Sequence, residues 1–368
     1  DRGYALSIRG IAREIAGSLA LKFTDPVDAL RGLQFAETGK GVTAKIADKD
    51  TASVFYLRTI SNFDPAAKVP IWMRRRIEKM GMRSISLVVD ITNYVMLELG
   101  QPLHAFDKTK ISGGLTIKRA GKSQKFVTLD GQERTLDPDD LMVCDDKQPL
   151  ALAGTMGGLF SEITATTTDI ALEAVRFDPV CVARNSRRHK LSSEASRRLE
   201  RSVDPSLAEF ASARFVQLLT SHSSAKHVAT VKDGQPRFTP IITLDPTYIP
   251  RLLGFEIAWS EIAHNLRIIG CDVDEKTHQV DPPAWRSDLL TPSDLAEEVA
   301  RMIGYDKIPS VLPPRPLHAT LTPTQKRRRA VATMLASRGL AEVQTFPFTN
   351  QATIDSMGFV GERASTYK

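Results

Sequence analysis

The sequence predicts an α+β multidomain chain, and three observations carry that expectation. At 368 residues the chain exceeds one average domain of about 150 residues, so two to three are expected. Its apolar residues follow a helical period up to about residue 99 and a period of two from residue 115. A break at Lys232-Asp233-Gly234-Gln235-Pro236 then introduces a unit of about 75 residues with its own run of strands and helices. Hydrophobic residues at 42% and charged residues at 25% exclude a disordered, collagen-like or disulfide-scaffold protein. No apolar stretch approaches the roughly 20 residues of a membrane span. Lys plus Arg number 49 against 43 Asp plus Glu, a net +6 that permits nucleic-acid binding without establishing it.

Residues 5–22 place Leu6, Ile8, Ile11, Ile15, Leu19 and Leu21 at the spacing of an amphipathic helix. Pro70 opens a second helix over 71–80, closed by Gly81, and 84–99 read as a third, ended by Gly100-Gln101-Pro102. Residues 115–120, 125–129, 132–136 and 141–145 read as short strands, with Asp130-Gly131 as the hairpin between the middle two. Residues 171–175 add a strand, and 192–220 a long helix with serine at its start. The next unit reads as strand 241–244, helices 248–253 and 260–269, strands 271–273 and 279–285, and helix 294–303. A proline-rich linker over 308–316 leads to a basic helix at 324–339 and a strand at 343–348. Cys144, Cys181 and Cys271 are odd in number and far apart, which fits a reducing cytosol and argues against a Cys-based zinc site. Asp1-Arg2-Gly3-Tyr4 has no apolar signal core, and both chain ends read as interior positions of a longer protein.

Five constellations offer chemistry, each with a plainer reading beside it. His104 follows the Gly100-Gln101-Pro102 turn, where it can carry a proton or simply hold Asp107. Gly154, Gly157 and Gly158 let backbone approach a ligand, or form a tight bend. Glu173 is a carboxylate in the apolar run Ala171-Leu172-Glu173-Ala174-Val175; it either faces inward to a partner or ligand, or turns to solvent. Residues 180–201 hold seven Lys/Arg against two acids, including Arg187, Arg188 and Lys190; this is a phosphate-binding stretch or a solvated helix face. Asp288, Asp294, Glu297 and Glu298 gather around a helix start, as oxygen ligands for Mg²⁺ or as ordinary first-turn acids. The run Lys326-Arg327-Arg328-Arg329 reads as a solvated helix face. No nucleophile elbow or triad spacing is present, so a serine hydrolase is not expected.

Longer strings carry a resemblance across essentially the whole chain. They are Arg83-Ser84-Ile85 through Val89-Asp90-Ile91-Thr92-Asn93-Tyr94-Val95, Glu98-Leu99-Gly100-Gln101-Pro102-Leu103-His104-Ala105-Phe106-Asp107, Ser193-Glu194-Ala195-Ser196-Arg197-Arg198-Leu199-Glu200-Arg201-Ser202-Val203-Asp204-Pro205, and Asp294-Leu295-Ala296-Glu297-Glu298-Val299-Ala300-Arg301-Met302-Ile303-Gly304-Tyr305. In content, order and spacing they resemble the β subunit of bacterial phenylalanine–tRNA ligase. The resemblance implies the end of an N-terminal helical module (1–45), a mixed α/β editing domain with antiparallel sheets (46–237), a small helical, winged-helix-like module of DNA-binding type (238–316) and the start of a catalytic-like domain (317–368). It therefore implies an internal piece of that subunit.

The resemblance also implies chemistry. The α subunit of this family joins phenylalanine to tRNA(Phe) with ATP, and the β editing domain hydrolyses tyrosine wrongly attached to it. An apolar pocket rejects an added hydroxyl weakly, whereas a second, hydrogen-bonding site can select it. Glu173 matches the position that recognises the tyrosyl hydroxyl. His104 and Gly157 match positions beside the scissile ester, and Ser193 and Ala195 the rest of the pocket, with Ser193 standing where many members carry Thr. Arg187, Arg188 and Lys190 are the expected tRNA contacts. Asp288, Asp294, Glu297 and Glu298 match magnesium-associated carboxylates near the α–β contact. Ser202 stands where members usually carry Gly. The implied assembly is a cytoplasmic (αβ)₂ heterotetramer, in which this piece alone would hydrolyse the tyrosyl ester weakly or not at all. A non-catalytic tRNA- or nucleic-acid-binding module, or a structural partner of α, is the competing expectation.

Overall fold

The computed structural model describes residues 2–315 and 320–358. Pro316 of the expected linker and residues 359–368 lie outside the described residues. The chain divides into two compact units, Asp1–Pro309 and Ser310–Lys368.

The first unit begins with α1 (Ile8–Ser18), capped by Ser7, whose hydroxyl accepts from the Gly10 amide. The helix is shorter than expected, and its aliphatic stripe faces outward. Ile8, Ile11 and Ile15 are about half exposed, while Arg9 is buried. Arg9 turns inward because Asp25 takes its Nε and Nη2 at 2.8 and 2.7 Å and Asp204 lies 3.4 Å from its Nη1. Arg13 stacks over Trp285 at 3.8 Å. Strands β1 (Ala44–Ile46) and β2 (Ala52–Ser61) follow, then α2 (Ile71–Lys79) and α3 (Leu87–Leu99). Ser86 caps α3, and Gly100, at φ +96°, ends it in a conformation that glycine adopts without strain.

Next come β3 (His104–Asp107), β4 (Leu115–Arg119), the hairpin β5 (Lys125–Val127) and β6 (Glu133–Thr135), then β7 (Leu141–Cys144), β8 (Pro149–Leu152), β9 (Met156–Gly157) and β10 (Ile170–Phe177). The expected 192–220 helix is two helices, α5 (Glu194–Leu199) and α6 (Leu207–His222), with α4 (Pro179–Arg188) before them. Ser202, at φ +67°, and Pro205 force the break. Strand β11 (Lys226–Gly234) completes this part.

Two sheets result. One has the order β11-β2-β10-β3 and is antiparallel throughout; the other has the order β1-β4-β7-β8-β9, with only β1 and β4 parallel. Strand β10 is buried on both faces, which explains its nearly unbroken apolar run. Its Ile170 and Leu172 pack with Ile91, Val95 and Phe215 of the helical layer, while Ala171 and Val175 pack with Leu115, Ile117 and Val143 of the second sheet. Glu173 shares the period-two face of Ala171 and Val175, so it points between the sheets.

The third part of this unit is β12 (Ile242–Thr243), α7 (Tyr248–Leu253), α8 (Trp259–Ile268), β13 (Asp272–Asp274), β14 (Gln279–Asp281) and α9 (Pro292–Ile303), a three-stranded antiparallel sheet with three helices around its own core. The second unit contains α10 (Pro323–Ser337) and α11 (Gln351–Ser356). Lys326, Arg327, Arg328 and Arg329 are all exposed on α10. Residues 343–348 form no strand, since an extended segment needs a neighbour to supply ladder bonds.

Candidate active site

A pocket of about 70 Å³ opens at the edge of the inter-sheet layer, lined by Pro102, His104, Met156, Gly157, Glu173 and Ala195 among others. Strand pairing sets its two titratable groups opposite each other, because His104 of β3 is the register partner of Glu173 of β10. Glu173 is 6% exposed, and its Oε2 has no hydrogen-bond partner. Burial pushes its carboxyl up to about 8, so at neutral pH it is a neutral acid that can both donate and accept. Burial pushes His104 down to about 4, leaving a neutral imidazole. The ring meets Phe106 edge-on at 4.5 Å. It does not hold Asp107, which instead accepts from Thr109 and Thr167.

Gly157 is required for space. A methyl group there would sit 2.4 Å from His104 Cε1 and 2.6 Å from Nε2. Gly154 is required for its turn, at φ +64°. The Ser193 hydroxyl is already committed. It donates to the Thr155 carbonyl at 2.7 Å and accepts from the Ser196 amide at 3.0 Å as the cap of α5. It therefore pins the glycine turn to the helix and is not poised as a nucleophile. A dry engineered cavity of roughly 150 Å³ admits benzene, so this pocket is smaller than a phenol ring needs, and Met156 is its most adaptable wall residue.

The other expected residues separate. Arg187 and Lys190 are exposed, whereas Arg188 pairs with Asp140 and lies 3.6 Å from Asp137. His189 adds a 2.6 Å contact to Asp140. Arg197 and Arg198 both pair with Glu194, at 2.9 and 2.7 Å. Arg188, Arg197, Arg198 and Arg201 are thus engaged within the chain, whereas Arg184, Arg187 and Lys190 form an exposed basic edge.

The acidic quartet does not form a ligand set. Asp288 accepts from Arg286 with both oxygens at 2.8–2.9 Å. Glu298, 1% exposed, accepts from Arg286, Arg301 and Arg2. Burial pushes its carboxyl up, but the Arg286 and Arg301 guanidiniums hold it at about 2. Asp294 Oδ2 accepts from the Leu290 and Thr291 amides and the Thr291 hydroxyl, and Glu297 is exposed. Among the described residues no group of three or more His, Cys, Asp and Glu side chains could hold a metal ion. The residues as arranged do not fit a resident magnesium, because the arginines already supply the positive charge. A larger open groove of about 880 Å³ beside β1, lined in part by Lys45, Lys49 and Arg237, is no better a site; its Asp233 is taken by the Ile46 and Gly234 amides. Spacing did not reveal the pocket residues Pro102, Met156, Phe177 and Leu199, whose only signal was proximity to residues already singled out.

The B3/4 domain family matches residues 51–224, the tRNA synthetase B5 domain 242–305, and the phenylalanyl-tRNA synthetase β-chain CLM domain 308–367. Together these matches define a chain of aminoacyl-tRNA synthetase class. The phenylalanine–tRNA ligase β subunit of Thermobifida fusca is 46% identical over 364 residues, which is 97% of this chain and 43% of that protein. That of Leifsonia xyli is 47% identical over 366 residues, again 97% and 43%. The chain belongs to the phenylalanine–tRNA ligase β-subunit family, and it spans a little under half the length of these relatives. A solved N-terminal fragment of the phenylalanyl-tRNA synthetase β subunit from Pyrococcus horikoshii is 17% identical, with a TM-score of 0.40, over 83% of this chain and 84% of that one, a likeness too low to bear on the fold. No helix among the described residues is long and apolar enough to cross a membrane.

Proposed function

We propose that residues 46–237 form an editing domain that hydrolyses tyrosine from tRNA(Phe). The observation that carries this reading is the unpartnered Oε2 of Glu173 inside the pocket. An unsatisfied buried oxygen costs about 1–3 kcal/mol, which a phenolic O–H recovers and a bare phenyl ring does not. Neutral His104 stands across the strand pair, where it can accept a hydrogen bond from water. That water adds to the ester carbonyl carbon, the ester C–O bond breaks, and the ribose oxygen leaves with the proton the water gives up. Gly157 leaves room for the ester beside His104, Ala195 keeps the wall low, and Ser193 fixes the turn.

In this reading Arg187 and Lys190 meet the tRNA backbone, while Arg188 serves the fold through Asp140. The other parts are the end of a helical module (1–45), a small winged-helix-like module (238–316) and the start of a catalytic-like domain (317–368). The whole subunit would work in the cytoplasm in an (αβ)₂ assembly, with ATP-dependent aminoacylation on α. Any magnesium at Asp288, Asp294, Glu297 and Glu298 would require the arginines to withdraw, and no step here depends on it. Titrating the chain with free tyrosine and phenylalanine tests the pocket. Tyrosine should bind in preference, and Glu173→Ala or His104→Ala should abolish the preference; equal binding of the two amino acids would refute the reading.

A further inference from the structure

The β3–β10 register pairs His104 with Glu173 and Phe106 with Ala171. On the same diagonal the Lys108 amide donates to the Asp169 carbonyl at 3.0 Å. In an antiparallel pair the bonded positions recur every second residue. Phe106–Ala171 and His104–Glu173 are therefore bonded pairs, and the next along the diagonal is position 102 with Val175. At that position residue 102 should donate its amide to the Val175 carbonyl, but it is proline and has no N–H. The preceding side chain supplies the donor. Gln101 is fully buried, and its Nε2 donates to Val175 O at 3.0 Å and to Pro102 O at 2.9 Å. Its Oε1 has no partner, so the donor side alone explains a buried amide there.

We propose that Gln101 is a positioning residue of the hydrolytic site: its side-chain amide stands in for the strand N–H that Pro102 lacks and ties the 101–103 turn to β10, so that His104 is held opposite Glu173. The functional half of this inference rests on the editing reading above. The structural half does not. Both Pro102 and His104 line the pocket, so slack in this turn would move the wall and the imidazole together.

Two measurements test it. In the assembled α–β enzyme, Gln101→Leu should lower kcat for hydrolysis of Tyr-tRNA(Phe) at least about tenfold with KM changed less than about threefold. Pro102→Ala in the Gln101→Leu background, which restores an N–H opposite Val175, should recover much of that loss. In the 368-residue chain, the imidazole signal of His104 followed by NMR should titrate near pH 4 in the wild type and move toward the ordinary histidine range in Gln101→Leu. A wild-type hydrolysis rate and an unmoved His104 titration in Gln101→Leu would overturn the inference and leave the editing reading intact. A kcat loss that matches a fall in melting temperature and is not recovered by Pro102→Ala would reduce Gln101 to a fold residue and overturn it too. If the wild type fails to hydrolyse the ester, the editing reading falls and the catalytic role of Gln101 falls with it; the His104 titration then decides whether the turn is held as described.

Discussion

Glu173 is an acid whose surroundings keep it protonated, and the consequence for stability has a definite sign. Its folded value of about 8 lies above the ordinary 4.5, so the folded state holds a proton that the unfolded state releases. Its favourable contribution is complete below pH 4.5 and is lost as pH rises through 8. Urea unfolding at pH 5 and pH 9 should therefore show the wild type losing about 2–4 kcal/mol relative to Glu173→Gln, whose amide cannot ionise. Parallel pH curves would show that the carboxyl is not held neutral. In Gly157→Ala the new methyl meets the His104 ring, so hydrolysis should fall at least about tenfold while unfolding shifts by only about 1–2 kcal/mol, measured by ester turnover and urea midpoint together. Glu173 was legible in the sequence because an acid in an apolar strand needs an explanation. The commitment of Ser193 to Thr155 was not, since that hydrogen bond joins residues 38 positions apart.

The elements were legible where a turn, a helix stop or a short bounded apolar run marked them. The hairpin at Asp130-Gly131, the helix expected over 84–99, which runs Leu87–Leu99, and the core strand around Glu173 all form. Strand β2 was missed because Val54-Phe55-Tyr56-Leu57-Arg58-Thr59-Ile60 is buried on both faces and shows no alternation. Strand β3 was read as part of a turn, because its four residues follow Gly-Gln-Pro directly. The long 192–220 helix was broken by a left-handed Ser202, a conformation a single residue does not announce. The clip between α5 and the glycine turn yields the prediction for this scale. Ser193→Ala removes a cap worth about 1 kcal/mol and frees the turn, so both stability and ester hydrolysis should decline, whereas Ser193→Thr, which keeps the hydroxyl, should retain both. Equal hydrolysis by the Ala and Thr variants would remove the clip from the account.

For the molecule as a whole, charge does its main work inside. Arg286, itself 1% exposed, joins Asp288 to Glu298, and Arg2 brings the N-terminal segment to the same carboxylate. In the sequence these acids announced only a helix start or a metal; Arg286 and Arg301 stand close by in the chain, but spacing does not show that their side chains turn onto Asp288 and Glu298, and Arg2 reaches Glu298 from the far end of the sequence. Arg286→Met takes away one of the three guanidiniums that meet the buried Glu298 and should cost about 1–3 kcal/mol, and the loss should be smaller in a Glu298→Leu background, as read by a double-mutant cycle in urea. Additive losses would mean the pair is not coupled. Selection of the tyrosyl hydroxyl by a neutral Glu173 should show in deacylation of Tyr-tRNA(Phe) and Phe-tRNA(Phe) by the assembled enzyme, wild type against Glu173→Ala. The wild type should clear the tyrosyl ester at least about tenfold faster than the phenylalanyl ester, and the variant should lose this preference; tyrosyl clearance unchanged in Glu173→Ala would remove Glu173 from the selection.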